Sequence, residues 1–208
     1  VYQRNCTSDQ VKGGVFPFAY SGLEALVNND IHKERRTLIT SVLRTGGDHN
    51  TVRSRIVNWT KSFIEQYTVR IPKEDQENAY NFNMAKVLFE QEQYQEVLEL
   101  LNTVDYQNIQ YMLGTKILQM KTYYELDEDQ ALEALIESFR VLLVRTTKIP
   151  KDLKTQYLEF LKYLKKLIYL NPYEYSDFDK FKEQIVNNPR IARKKWLLEK
   201  LELKNKKA

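Results

Sequence analysis

Apolar residues fall at helical spacing from Arg53 onward. Ile56, Trp59, Phe63, Ile64 and Tyr67 occupy i, i+3, i+7, i+8 and i+11, which sets them on one stripe of a helix. Ile71-Pro72-Lys73-Glu74 interrupts that stripe. Proline is tolerated in a first helical turn, where its missing N–H would have no partner anyway, and Glu74, Asp75 and Glu77 add negative charge where a helix dipole favours it. The pattern predicts a second helix to about Glu90, with Tyr80, Met84, Val87 and Leu88 inward. A short turn at Gln91-Glu92-Gln93 follows, then a helix over Tyr94 to Asn102 carrying Val97, Leu98 and Leu101.

The same grammar repeats. A shift of 35 residues superposes Leu88-Phe89-Glu90 on Tyr123-Tyr124-Glu125, Val97 on Leu132, Leu101 on Ile136 and Val104 on Phe139; shifted back, Tyr94 falls on Trp59. Ile71-Pro72-Lys73-Glu74 also returns as Ile149-Pro150-Lys151-Asp152. A helix–turn–helix unit recurring every 34 or so residues marks a helical solenoid, in which each unit buries its apolar face on its neighbours. Trp59, Tyr94, Leu101, Ile136 and Leu161 are the expected core.

Further on, Leu153, Tyr157, Leu161, Leu164 and Ile168 predict a helix ending near Asn171-Pro172. Ser176 with Asp179 reads as a capping box ahead of Phe178, Phe181 and Ile185, and Asn187-Asn188-Pro189 as the stop. A last helix is expected from about Ile191 to Leu203, with Lys204 to Ala208 frayed. The chain thus divides into a poorly patterned segment (1–52, short helices or disorder, broken by Gly13-Gly14, Pro17, Gly22 and Gly46-Gly47), helical repeats (53–170) and C-terminal capping helices (171–208).

Composition supports an all-α fold, since 6 Gly and 5 Pro in 208 residues are too few for the turns of a sandwich or barrel. One Cys and two His exclude a His/Cys metal cage and a disulfide framework. No apolar run approaches the roughly 18–20 residues of a membrane span, and the expected compartment is the cytoplasm. The chain opens at Val1, so an upstream signal stays open. Asn5-Cys6-Thr7 and Asn58-Trp59-Thr60 match the glycosylation sequon and read as coincidence. Charge is strongly segregated: residues 1–70 carry +4, residues 71–145 carry −8 and residues 146–208 carry +8.

The stretch Ala79-Tyr80-Asn81-Phe82-Asn83-Met84-Ala85, then Leu88-Phe89 and Tyr94-Gln95-Glu96-Val97-Leu98, resembles a tetratricopeptide repeat. Residues 105–143 resemble a second copy, and the chain is also similar to bacterial proteins of unassigned activity that end in such repeats. The resemblance implies an α-α superhelix binding a peptide or partner domain on its concave face. It sets Phe82, Asn83, Lys86 and Phe89 of one unit, and Ile117, Lys121 and Tyr124 of the next, toward that groove. Asn83, Lys86 and Lys121 would hold carboxylates or backbone; Phe89 and Tyr124 would anchor apolar groups. The bland alternative packs both aromatics between helices.

No Gly-rich phosphate loop, G-x-S-x-G or H-E-x-x-H is present. Cys6, His32 and His49 suggest no catalytic pairing, and Asp127-Glu128-Asp129 lacks EF-hand spacing. The expectation is a non-enzyme, without cofactor or metal: a protein-interaction scaffold for a protein or peptide partner. The negative middle would steer a basic segment to the groove. Head-to-tail self-association through the oppositely charged regions stays open. Nucleic-acid binding through the basic C-terminal helices is the alternative, as is a purely architectural tail domain. Tyr157, Tyr163, Tyr169, Tyr173 and Tyr175 offer stacking rings there, but Asp152, Glu159, Asp177, Asp179 and Glu183 interleave with the lysines.

Overall fold

A computed structural model describes residues 49–105, 108–170 and 175–206. The weakly patterned stretch before residue 49, with Cys6 and His32, lies outside the described residues, as does Asn171-Pro172. The described residues form helices and turns with no strand. The helices are α1 (His49–Thr68), α2 (Lys73–Glu90), α3 (Tyr94–Asn102), α4 (Ile109–Glu125), α5 (Asp129–Arg145), α6 (Lys151–Ile168), α7 (Tyr175–Asn187) and α8 (Lys194–Lys206). No helix among them is long and apolar enough to cross a membrane. They form two compact units that divide within α4, between Thr122 and Tyr123.

In the first unit α1 and α2 run antiparallel. Arg53, near the start of α1, donates to the Glu90 carbonyl at the end of α2 and faces the Glu92 carboxylate at 3.8 Å. Val57 and Ile64 pack on Met84 and Val87 between them. On another side of α2, Asn81 donates to the Thr103 hydroxyl at 2.8 Å, and the Asp105 N–H donates to the Asn78 side chain at 2.8 Å. These bonds hold the end of α3 beside the first half of α2. Phe82, Ala85, Val97, Leu101, Val104 and Leu118 form the core where α2, α3 and α4 meet. Contacts advance in the same direction along α2 and α4, from Phe82 with Tyr111 (5.5 Å, edge-on) to Phe89 with Lys121, so these two helices are parallel.

The second unit has a core of its own. Phe139 of α5 meets Tyr157 of α6 edge-on at 5.9 Å. Tyr163 stacks on Phe181 of α7 at 5.9 Å. α8 runs parallel to α6: the Ala192 N–H donates to Gln156 O at 3.1 Å, Phe160 faces Trp196 at 6.3 Å, and Lys204 Nζ donates to the Leu167 and Ile168 carbonyls at 2.9 Å. Lys204 therefore caps the end of α6 rather than fraying, because the last carbonyls of a helix attract a cation.

The 35-residue period extends to backbone geometry. Glu92 and Asp127 both adopt the left-handed conformation, φ 63° and 55°, just past the ends of α2 and α4. The N–H of the next residue returns to the carbonyl five before it in each case (Gln93 to Leu88 and Glu128 to Tyr123, both 3.0 Å). This is a Schellman stop, made without the usual glycine. Ile71-Pro72 and Ile149-Pro150 are likewise equivalent: each proline is the N-cap of the next helix, and both isoleucines are buried.

Several positions differ from the sequence reading. Trp59 is half-buried at the edge of the Phe63–Tyr67 cluster and Tyr94 is half-buried against Phe89, whereas Leu101, Ile136 and Leu161 are core residues. α6 stops at Ile168, earlier than expected. α7 opens at Tyr175, so Ser176 lies inside it rather than at its cap. α8 begins at Lys194 instead of Ile191, because Arg193 takes φ 55° and breaks the run. Asn58-Trp59-Thr60 sits within α1, with the Thr60 hydroxyl donating to Ile56 O at 2.7 Å.

Gly114, in the middle of α4, was not singled out by its pattern. A Cβ there would lie 3.0 Å from Phe82 Cε2 and nearer still to Cζ. Phe82 is a core ring with little room to swing. Gly114→Ala gains up to about 1 kcal/mol of helix propensity but overpacks the core by about 1–3 kcal/mol. We expect a net loss in urea denaturation, partly recovered when Phe82→Leu is added. A stability gain from Gly114→Ala alone would show that α2 and α4 are not this close.

Candidate functional site

α2 brings Asn83 and Lys86 together one turn apart. Asn83 is buried and donates through Nδ2 to the Ala79 carbonyl at 2.8 Å, so its amide is engaged with its own helix. Lys86 Nζ stands 4.0 Å above the Phe82 ring and 3.5 Å from Asn83 Oδ1. One turn on, Phe89 is half-buried, edge-on to Tyr94 at 5.5 Å, and Lys121 Nζ of α4 reaches 5.0 Å from its ring centre. Each lysine at this face is thus held against an aromatic ring, an arrangement that stabilises the cation. Phe82 and Ile117, placed toward the groove by the resemblance, are core residues here.

Tyr124 belongs to the second unit. Its ring is edge-on to Trp196 at 5.3 Å. Burial, reinforced by Glu125, Asp127 and Asp129, pushes its hydroxyl up to about 12, so it is a neutral donor throughout the ordinary pH range. Beside it, Glu125 pairs with Lys200 of α8 at 2.7 Å, both side chains largely shielded from solvent. The five residues picked out by sequence therefore divide: Asn83 and Lys86 are adjacent, Phe89 and Lys121 are adjacent, and Tyr124 packs into the second unit.

Two features escaped the sequence reading. Lys116 is half-buried near Gln119, 3.5 Å from its Oε1, and burial lowers its pKa. On α6, Asp152 and Glu159 lie beside rather than on the lysine stripe, and Glu159 is shared between Asn188 Nδ2 at 2.8 Å and Lys162 Nζ at 3.7 Å. Helical phase carried the signal in the second case. Among the described residues, no group of three or more His, Cys, Asp or Glu side chains is placed to hold a metal ion. No family model, curated protein or solved structure matches this chain.

Proposed function

We propose that the protein is a non-catalytic protein-interaction scaffold, a tetratricopeptide-like helical solenoid whose α2–α4 face receives a peptide or partner domain. The observation that carries this reading is the paired lysine–aromatic arrangement at that face, Lys86 on Phe82 and Lys121 on Phe89, built on helices that run parallel. The matching Schellman stops at Glu92 and Asp127 support the repeat beneath it. Parallel first helices joined by short second helices are what a solenoid needs to stack its units.

The charges set against those rings are cationic, although the region as a whole is acidic. The favoured segment accordingly carries carboxylates at the two lysines and an apolar side chain beside Phe89. This reverses the sign of partner that the bulk charge of residues 71–145 suggests, because a field at contact is set by the nearest groups.

Peptide display against the full chain tests the reading. Acidic peptides with one apolar anchor should be enriched, and Lys86→Glu with Lys121→Glu should weaken them by about tenfold or more, about 1.4 kcal/mol. Far-UV spectra and melting establish that the variant folds. Enrichment of no peptide class, or unchanged binding by the folded variant, would move the working surface elsewhere.

A further inference from the structure

The outward side of α6 is a cationic stripe. Positions 151, 155, 158, 162, 165 and 169 lie along one helical face, and Lys151, Lys162, Lys165 and Tyr169 are exposed on it, with Lys166 at its margin. The other sides of α6 are occupied: Tyr157 meets α5, Tyr163 meets α7 and Phe160 meets α8. Asp152 and Glu159 fall on the flank rather than on the stripe; Glu159 accepts from Asn188 and also stands 3.7 Å from Lys162 Nζ, an exposed and weak pair that a second carboxylate can join.

The first unit carries the opposite surface. Val97 and Leu101 turn into the core, which turns Glu96 and Glu99 of α3 outward. The bonds from Asp105 to Asn78 and from Asn81 to Thr103 bring the end of α3 beside α2, where Glu74 and Glu77 are exposed. Exposed carboxylates lie on both helices of this pair: Glu74 and Glu77 in the first turns of α2, Glu96 and Glu99 on α3, and Asp105 just past it.

We propose that the α6 lysine face of one copy docks on the α2–α3 acidic side of a second copy. The spacing suits it, since Lys162 and Lys165 are three residues apart, as are Glu96 and Glu99. Two helices laid side by side would present both pairs at the same rise, about 4.5 Å. A nucleic-acid strand is a poorer fit, because the stripe offers one exposed ring, Tyr169, where stacking platforms supply several. The two docking faces are different surfaces, so the contact is heterologous and extends into open chains or closes into rings. It rests on exposed ion pairs over a small area, so it is transient and sensitive to salt. The inference is independent of the α2–α4 face.

Sedimentation velocity of the full chain, over a range of concentrations, tests it. At about 20 mM salt the mean mass should rise with concentration, and at about 300 mM it should return to that of one chain as screening shortens the reach of charge. Lys162→Glu with Lys165→Glu should remove the association, and Glu96→Lys with Glu99→Lys should do the same. An equimolar mixture of the two variants should restore it to within about threefold of the parent dissociation constant. Far-UV spectra check that each variant is helical. A monomer at every low-salt concentration, variants that associate like the parent, or a mixture that stays monomeric would each overturn the proposal. So would a monomeric chain whose α6 face instead binds a short oligouridylate.

Discussion

Truncating Leu101 to alanine is expected to lower stability by about 2–5 kcal/mol, the range for removing a large aliphatic group from a packed core. Leu101 is fully buried among Phe82, Ala85, Val97, Val104 and Leu118. Its helix, α3, spans only nine residues, too few to be helical by propensity alone, so packing carries it. Losing the side chain therefore opens a cavity where α2, α3 and α4 converge and loosens the helix that closes it. Leu98→Ala, on a half-buried position of the same helix, supplies the control and should cost clearly less. Urea denaturation gives the magnitudes, and amide exchange over residues 94–102 locates the loss. An unchanged midpoint for Leu101→Ala would mean that α3 turns a different face to the core.

Legibility followed physical uniqueness. α2 and α3 match their predicted spans because proline, an acidic first turn and a three-residue break each act locally and together. The 35-residue match was readable for the same reason, since Val97 and Leu132 are both fully buried at equivalent places. The core positions that shifted, Trp59 and Tyr94, are half-buried amphipathic aromatics, for which a stripe shows direction but not depth.

The candidate face was harder to read. α2 is buried on several sides, including at polar positions Asn81 and Asn83, so hydrophobic periodicity does not say which polar residue faces solvent. Asn83 bonds back to Ala79, a choice that depends on local geometry rather than residue type. Net charge over a segment says little about the sign at one face for a similar reason. It sums carboxylates such as Glu96 and Glu99, which point outward from α3, with the two lysines that meet the rings. Gly114 was missed because a glycine in a helical pattern reads as a weakness, whereas here it makes room for Phe82.

Removing either partner of the Glu125–Lys200 pair should destabilise the second unit, and the two removals should be unequal. The carboxylate meets Nζ at 2.7 Å through Oε1 and 2.9 Å through Oε2, with the side chains 14% and 16% exposed. Glu125 is the last residue of α4, where the helix dipole disfavours a negative charge, and Asp127, Glu128 and Asp129 follow it closely. Lys200→Met leaves that carboxylate largely shielded, unpaired and among like charges, and should cost about 2–4 kcal/mol, somewhat below the full penalty for a completely buried ion. Glu125→Gln leaves Lys200 near the same acidic turn, whose charges already act on Lys204 one helical turn away. That residual attraction should hold its cost to about 1–2 kcal/mol. Joining Glu125→Gln to Lys200→Met removes both charges together, so the double variant should be more stable than Lys200→Met alone. Denaturation of the four proteins at neutral pH measures the coupling. Strictly additive losses, or a greater cost for Glu125→Gln, would show that the pair is not what fastens α8 to the end of α4.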